Sequence, residues 1–544
     1  MSKQKITLGS SARLELVKGI ETLSAAVTAT LGPNGRNIIY EEDGKVYSTK
    51  DGVTVAKQIK ELDTPIKNLG VKLIKQAAIN TADKVGDGTT TSTLLAYNMV
   101  RYGLDRLDTG GNATEIKKGM DSAVKDVIDL LSKHAEDISD PQQLINVATI
   151  SGNNDPEIGN LIHEGLQSAG TNGVVHIEES KTGETYLEIV EGMQFDRGYK
   201  SHYFVTHNDT MTCNMNDVAV LIADHSFQNV KDLLPILNHA SANNKSLLII
   251  CDDIEGEALA TLIVNKMRGS LKVCAVKSPE FGDRKKLVLE DIAKLTGGEV
   301  FSIAKGMKLE KFDWNWMGSC RSVKITKDKT TIIDGHGNED NIEQHIESLQ
   351  SQIDQSSTPF EIQALQDRLA KMTGGVSIIH VGGMTEAEMK ERKDRVEDAL
   401  FATKCAIEEG ILPGGGRALQ YSSHHIEMID EETQDFNYGR RLIRDVITAP
   451  FSTILTNAGK SWDEITELLE DLYNVDFWHG YNLKVEDIGN MKEYGVIDPF
   501  KVTKNALVNA ASIAGTILLT EGAIALEKVE EKTGEEVGTM PQMF

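Results

Sequence analysis

The hydrophobic pattern of this chain changes its period twice. Leu14, Val17, Ile20, Leu23 and Val27 recur at three- and four-residue steps, so residues 10–31 read as a helix, and helical segments follow at 62–82 and 89–107. Around Gly173 the pattern becomes alternating, in Val174-Val175-His176-Ile177 and again in Tyr186-Leu187-Glu188-Ile189-Val190. Short apolar runs at 218–223, 246–251 and 272–276 then alternate with helical stretches at 231–242 and 255–267, the mark of an α/β unit. Ile342, Ile346, Leu349 and Ile353 repeat at coiled-coil spacing, Ser356-Ser357-Thr358-Pro359 interrupts them, and Ile362, Leu365, Leu369 and Met372 resume, which predicts a helical hairpin. After Gly382 the chain reads as helical from 385 to 408 and mainly so to its end. These periods predict an α/β module inserted into a mainly helical chain.

The 544 residues suffice for about three domains of the usual ~150 residues. With 82 acidic against 57 basic side chains the formal charge is -25, which opposes binding to a phosphate backbone, so no nucleic-acid partner is expected. Cys213, Cys251, Cys274, Cys320 and Cys405 show no CxxC spacing, so neither a disulfide framework nor a thiolate metal site is expected. The N-terminal stretch has no apolar core of signal-peptide length, and a cytoplasmic location is expected. The apolar run 504–521 carries Asn505, Asn509, Ser512, Thr516 and Thr520, which predicts a buried helix and no membrane contact. The tail 530–544 is expected to be mobile.

The stretch 85–95, VGDGTTTSTLL, carries chemistry. Gly86 and Gly88 let backbone approach a ligand, a following helix N-terminus offers unpaired N–H groups to an anion, and Asp87 can hold a divalent cation that neutralises phosphate. Taken alone, the same string reads more readily as a turn followed by a threonine cap than as a phosphate site.

A series of such loops runs in order along the chain: LGPNGRN at 31–37, KDGVTVA at 50–56, GDGTTT at 86–91, ATISGNND at 148–155 and FDRGY at 195–199. EGEALATLIVNKMRG at 255–269, KSPEFGDRKK at 277–286, TTIIDG at 330–335, GGMTEAEMKERKDRVEDAL at 382–400, PGGG at 413–416 and GVIDP at 495–499 continue it. Together they resemble the GroEL-type (group I) chaperonins over nearly the whole sequence. The resemblance implies a multidomain α and α/β fold: an equatorial ATP-binding and ring-forming domain from 1–133 and 409–544, a small α/β intermediate hinge domain from 134–190 and 376–408, and an inserted α/β apical domain at 191–375. It implies a homo-oligomer of seven-membered rings, single or double, that uses ATP and Mg2+, with K+ as an optional companion, to enclose non-native polypeptides under a co-chaperonin lid.

Carried over position by position, the family pattern places Thr30, Leu31, Gly32 and Pro33 around the nucleotide. It makes Asp87 the metal ligand and gives Gly88, Thr89, Thr90 and Thr91 the phosphate contacts. It sets Gly415 beside the nucleotide, Asn482 by the base and Asp498 by the ribose. Asp51 stands near the γ-phosphate, and Asp398 is the residue expected to act on the attacking water. For substrate it marks Tyr199, Tyr203, Phe204, Leu234, Leu237, Leu259, Ile263 and Val264, although Leu259, Leu262 and Ile263 have the spacing of a buried stripe as well. Asn34 replaces a lysine usual in that loop, and Leu483-Lys484 replaces a pair of alanines, so altered nucleotide affinity is expected. Ser452 and Ser461 stand where an Arg and a Glu often pair between rings, which makes a single ring an expectation. Two other classes stand beside it: a small-molecule kinase or ligase, for which no His, Ser or Lys constellation is present, and an oligomeric holdase that binds polypeptide without cycling.

Overall fold

The computed structural model describes residues 3–42, 44–169, 174–180, 182–190, 192–208, 210–308, 312–356, 359–374 and 376–527. The chain divides into two compact units, 1–163 with 383–544, and 164–382. The first is therefore built from both ends of the sequence.

In the first unit, the helices Gly9–Thr28, Pro65–Val85, Thr89–Asp108, Ala113–His134 and Phe500–Leu518 surround a common core that includes Ile20, Leu23, Val27, Ile74, Leu95, Met99, Met120, Leu507 and Ile517. Their ends follow local chemistry. Thr64 caps Pro65–Val85 by accepting from the Lys67 N–H, and Asn112 caps Ala113–His134 by accepting from Thr114 and Glu115. Of the polar residues in the predicted apolar run, Asn509 is used inside the protein, its Nδ2 donating to Thr81 Oγ1 at 2.9 Å in a buried contact, while Ser512 and Thr516 are exposed. No helix among the described residues is long and apolar enough to cross a membrane.

Short β features toward the chain's end, among the described residues, differ from the mainly helical expectation. Gly522–Glu527 pairs antiparallel with Lys3–Leu8, and His479–Asn482 pairs with Asp487–Asn490. Both strands are short, and the first finds its partner more than 500 residues away, so local periodicity carries little of the signal. The expected mobile tail lies outside the described residues.

The second unit holds a six-stranded sheet in the order Lys272–Lys277, Ser246–Cys251, Cys213–Ile222, Gly318–Ile325, Thr330–Gly335, Gly192–Phe195. The first three strands are parallel, and the other neighbours run antiparallel. Ser246–Cys251 is buried along its whole length, which explains its unbroken apolar run. The helical hairpin is Glu339–Gln355 and Pro359–Thr373. Buried Asp291 of helix Gly282–Thr296 fixes both arms, accepting from Arg368 at 2.7 and 2.8 Å and meeting His345 Nε2 at 2.7 Å. A separate sheet sets Val376–Val381 between Val174–Glu179 and Tyr186–Val190. All five cysteines are free and buried.

Candidate functional site

The loop between Pro65–Val85 and Thr89–Asp108 is held in a shape that glycine makes possible. Gly86 has φ 71° and Gly88 φ 79°, both in the left-handed region. A Cβ on Gly86 would stand 2.3 Å from Phe401 Cγ on the helix Glu386–Glu409, so that helix rests directly against the loop. The helix Thr89–Asp108 begins at Gly88 with no side-chain cap. Its first N–H groups are left for another acceptor.

That uncapped end opens on a cavity of about 760 Å³ lined wholly by residues of the first unit. Every predicted nucleotide, metal and catalytic position lines it: Thr30, Leu31, Gly32, Pro33, Asp51, Asp87, Gly88, Thr89, Thr90, Thr91, Asp398, Gly415, Asn482 and Asp498. Asn457 Nδ2 donates to Leu31 O at 2.9 Å and fixes the first loop. The KDG turn touches the threonines closely, for a Cβ on Gly52 would lie 2.2 Å from Thr90 Oγ1. Asp51 caps the helix Gly52–Gln58, accepting from Val53 and Thr54 at 3.0 and 2.7 Å, so this turn residue is both a cap and part of the cavity wall.

The wall is strongly acidic. Asp87 accepts from the Gly88 N–H at 2.5 Å and from Ser151 Oγ at 2.7 Å, yet burial still pushes its carboxyl above the usual range. Burial raises Asp398 well above that range, with Asp51, Asp87, Asp394 and Glu397 adding like charge. Burial and Asp87 push Asp498 up to about 7. Two of the lining cations are paired with lining acids, Arg395 with Glu391 at 2.7 Å and Lys460 with Glu486 at 3.1 Å, which leaves the aspartates of the wall. Close-set carboxylates of this kind favour a cation. Among the described residues, no three His, Cys, Asp or Glu side chains converge into a complete metal site. A hard divalent ion at Asp87 would take further oxygens from a bound polyphosphate and water, which fits the few-protein-ligand habit of Mg2+.

Sequence reasoning missed part of this wall. Asn146, Thr149, Ile150, Ser151, Asn153 and Asn154 line the cavity; most of them lie in or beside the ATISGNND string, which was visible without revealing which side chains face inward. Asp394 was missed because ERKDRVED reads as a solvated helical face. Asn34 and Lys484 also line the cavity, and Asn482 Oδ1 accepts from the Lys484 N–H at 2.8 Å within its own turn.

The predicted substrate residues lie in the second unit and do not share one environment. Tyr203, Leu234 and Val264 are exposed, at 49%, 42% and 43%. Tyr199, Leu259 and Ile263 are partly buried against the core. Phe204 and Leu237 are buried at 0% and 5%, so these two are corrected to core residues in this conformation. Lys266 holds the adjoining turn by donating to Tyr203 O at 2.8 Å and Val205 O at 2.5 Å. Trp314 and Trp316 form an aromatic pad with Phe312, and the Trp314 ring stacks on His239 at 3.9 Å.

The profile of the TCP-1/cpn60 chaperonin family matches residues 23–528. The fold is similar to the crystal structure of the chaperonin gp146 from the bacteriophage EL of Pseudomonas aeruginosa, solved in the presence of ATP-BeFx. That likeness has a TM-score of 0.65 and 22% identity, over 96% of this chain and 99% of that one. With the family matched over most of its length and the whole-chain fold alongside, the chain belongs to the TCP-1/cpn60 chaperonin family.

Proposed function

We propose that this chain is the subunit of a group I chaperonin ring that binds and hydrolyses ATP while it captures and folds non-native polypeptides. The observation that carries the reading is the acid-lined cavity at the uncapped start of Thr89–Asp108, which gathers residues from both chain ends. In this reading the chain has three domains, with boundaries at 133/134, 190/191, 375/376 and 408/409. Phosphate oxygens take the free N–H groups of the helix start and the hydroxyls of Thr89, Thr90 and Thr91. Gly32 and Gly415 allow close backbone approach, while Thr30, Leu31 and Pro33 flank the nucleotide. Asn482 faces the base and Asp498 accepts from ribose hydroxyls. Mg2+, when bound, offsets phosphate charge; Asp87 is the side chain that would hold it. Asp51, fixed by its cap, orients the γ-phosphate surroundings, and Asp398 takes a proton from the attacking water.

Exposed Tyr203, Leu234 and Val264, with the partly buried Tyr199, Leu259 and Ile263, form the capture surface. Non-directional apolar burial at ~25 cal/mol per Å² holds unfolded chains without sequence preference, and a co-chaperonin loop competes for the same surface. Seven-membered rings follow from the same reading. Ser461 caps the helix Trp462–Asp471 and bonds Glu464, so no acid stands there for a pair across rings, which favours a single ring. Sedimentation with and without nucleotide tests that point; a double ring in every state removes it.

The deciding experiment pairs ATPase and client-refolding assays on the wild type and Asp398→Ala. Turnover falling about 100-fold or more with nucleotide still bound supports the proposal. No wild-type turnover alongside retained polypeptide binding supports the ATP-independent holdase instead.

A further inference from the structure

Asp394 stands one turn before Asp398 on the helix Glu386–Glu409, and both line the cavity. Residues four apart share a helical face, with Cβ atoms about 6 Å apart. Both carboxyl groups feel Asp51 and Glu397 as like charges, and Asp394 adds its own to those around Asp398. Of the nearby cations, Arg395 bonds Glu391 at 2.7 Å and faces Asp155 at 3.7 Å, while Lys390, which with Lys393 draws Asp394 down, also lies 3.8 Å from Glu42 and 5.4 Å over the Tyr47 ring. A carboxyl group recessed beside like charges calls for an explanation, and a reaction centre supplies one. The charged and titratable groups that bear on Asp394 are Asp51, Tyr40, Glu397, Asp398, Lys390 and Lys393. Burial, then Asp51 and Glu397, push it up to about 7, so near neutrality it can both donate and accept a hydrogen bond.

We propose that Asp394 is a positioning residue for ATP hydrolysis that acts through Asp398, the two carboxyl groups holding a water between them so that one Asp398 oxygen stays turned to the attacking water. This rests on the hydrolytic reading above. In the step itself, an O–H bond of the attacking water breaks as its oxygen bonds the γ-phosphorus, and the proton passes to Asp398. The bond from the γ-phosphorus to the bridging oxygen breaks, and its electron pair leaves with ADP. Asp394 fixes where Asp398 points and does not touch the phosphate.

The test is a double-mutant cycle on the full-length protein, with kcat and nucleotide affinity measured separately. Asp394→Ala should lower kcat about tenfold at unchanged nucleotide affinity. Asp394→Asn, which keeps a donor and an acceptor, should recover most of the loss. Because the residue acts through Asp398, Asp394→Ala with Asp398→Ala should turn over no more slowly than Asp398→Ala alone. A kcat within about twofold of wild type, losses that multiply in the double variant, or a nucleotide affinity that collapses would each overturn the proposal. Asp394→Ser supplies the same comparison where the alanine variant does not fold. A wild type without turnover overturns the hydrolytic reading itself, and this inference with it; wild-type turnover with an unaltered Asp394→Ala variant overturns this inference alone.

Discussion

Gly86 shows how one backbone position ties the cavity to the helix that carries Asp398. Its φ of 71° strains any residue with a Cβ, and that Cβ would meet the Phe401 ring at 2.3 Å. Gly86→Ala should therefore destabilise the protein by about 1–3 kcal/mol, read as a lowered midpoint in denaturant melts. Phe401 is about half exposed, so its ring can be removed without opening a core cavity. Adding Phe401→Ala removes the ring atoms but leaves the Phe401 Cβ 2.4 Å from the new Cβ, so it should return only part of the loss; a double variant no more stable than Gly86→Ala would show that the ring contact carries none of it. At this scale the sequence was most legible where backbone is the instrument. Asp87, Gly88 and the three threonines sit in a string whose residue types have few other uses together. It was least legible for single side chains whose surroundings decide their role: Phe204 and Leu237 match the pattern of a capture surface and lie in the core, while Asp394 matches a solvated helix and lines the cavity.

Among elements, the long helices were legible because an apolar stripe over many turns has one good solution. Pro65–Val85, Thr89–Asp108 and Glu386–Glu409 fall within a few residues of their expected bounds. The strands at 3–8 and 522–527 were not, since what makes them strands is each other across the length of the chain. Ser461 shows an element fixing a residue that family comparison alone reads as a loss. Its hydroxyl accepts from the Glu464 N–H at 3.3 Å and the Glu464 carboxylate accepts from the Ser461 N–H at 2.7 Å, a complete capping box for Trp462–Asp471. Ser461→Ala should cost about 1 kcal/mol, while Ser461→Asp, another good cap, should cost far less. Thermal melts of the two variants check this; equal losses would mean that the cap contributes nothing.

For the whole molecule, an excess of 25 negative charges is concentrated in consequence where carboxyl groups are recessed. Asp394 and Asp498 are both pushed up to about 7, mainly by burial, from an ordinary carboxylate value near 4 in the unfolded chain. A folded-state value above the unfolded one means that the native state binds protons more tightly. The stability these two groups contribute is full below about pH 4 and is lost as pH rises through about 7. In the second unit Asp253 behaves oppositely: Lys200 and Lys277 overcome its burial and hold it at about 2, so its contribution is lost only as pH falls through that value and is level near neutrality. Without nucleotide, the first unit should thus lose stability as pH rises from about 4 to about 7 and level off above that, while the second stays nearly level above about pH 5. Hydrogen exchange resolved along the chain reads the two separately: protection in Phe500–Leu518 should fall with rising pH, after correction for intrinsic rates, and that in Ser246–Cys251 should not. Saturating Mg2+ and a non-hydrolysed ATP analogue should flatten the slope in Phe500–Leu518, because bound cation removes the cost of ionising the recessed carboxyl groups. A slope that is equal in both units would assign the pH dependence to general charge repulsion, and a slope unchanged by the magnesium nucleotide would separate these carboxyl groups from the nucleotide site.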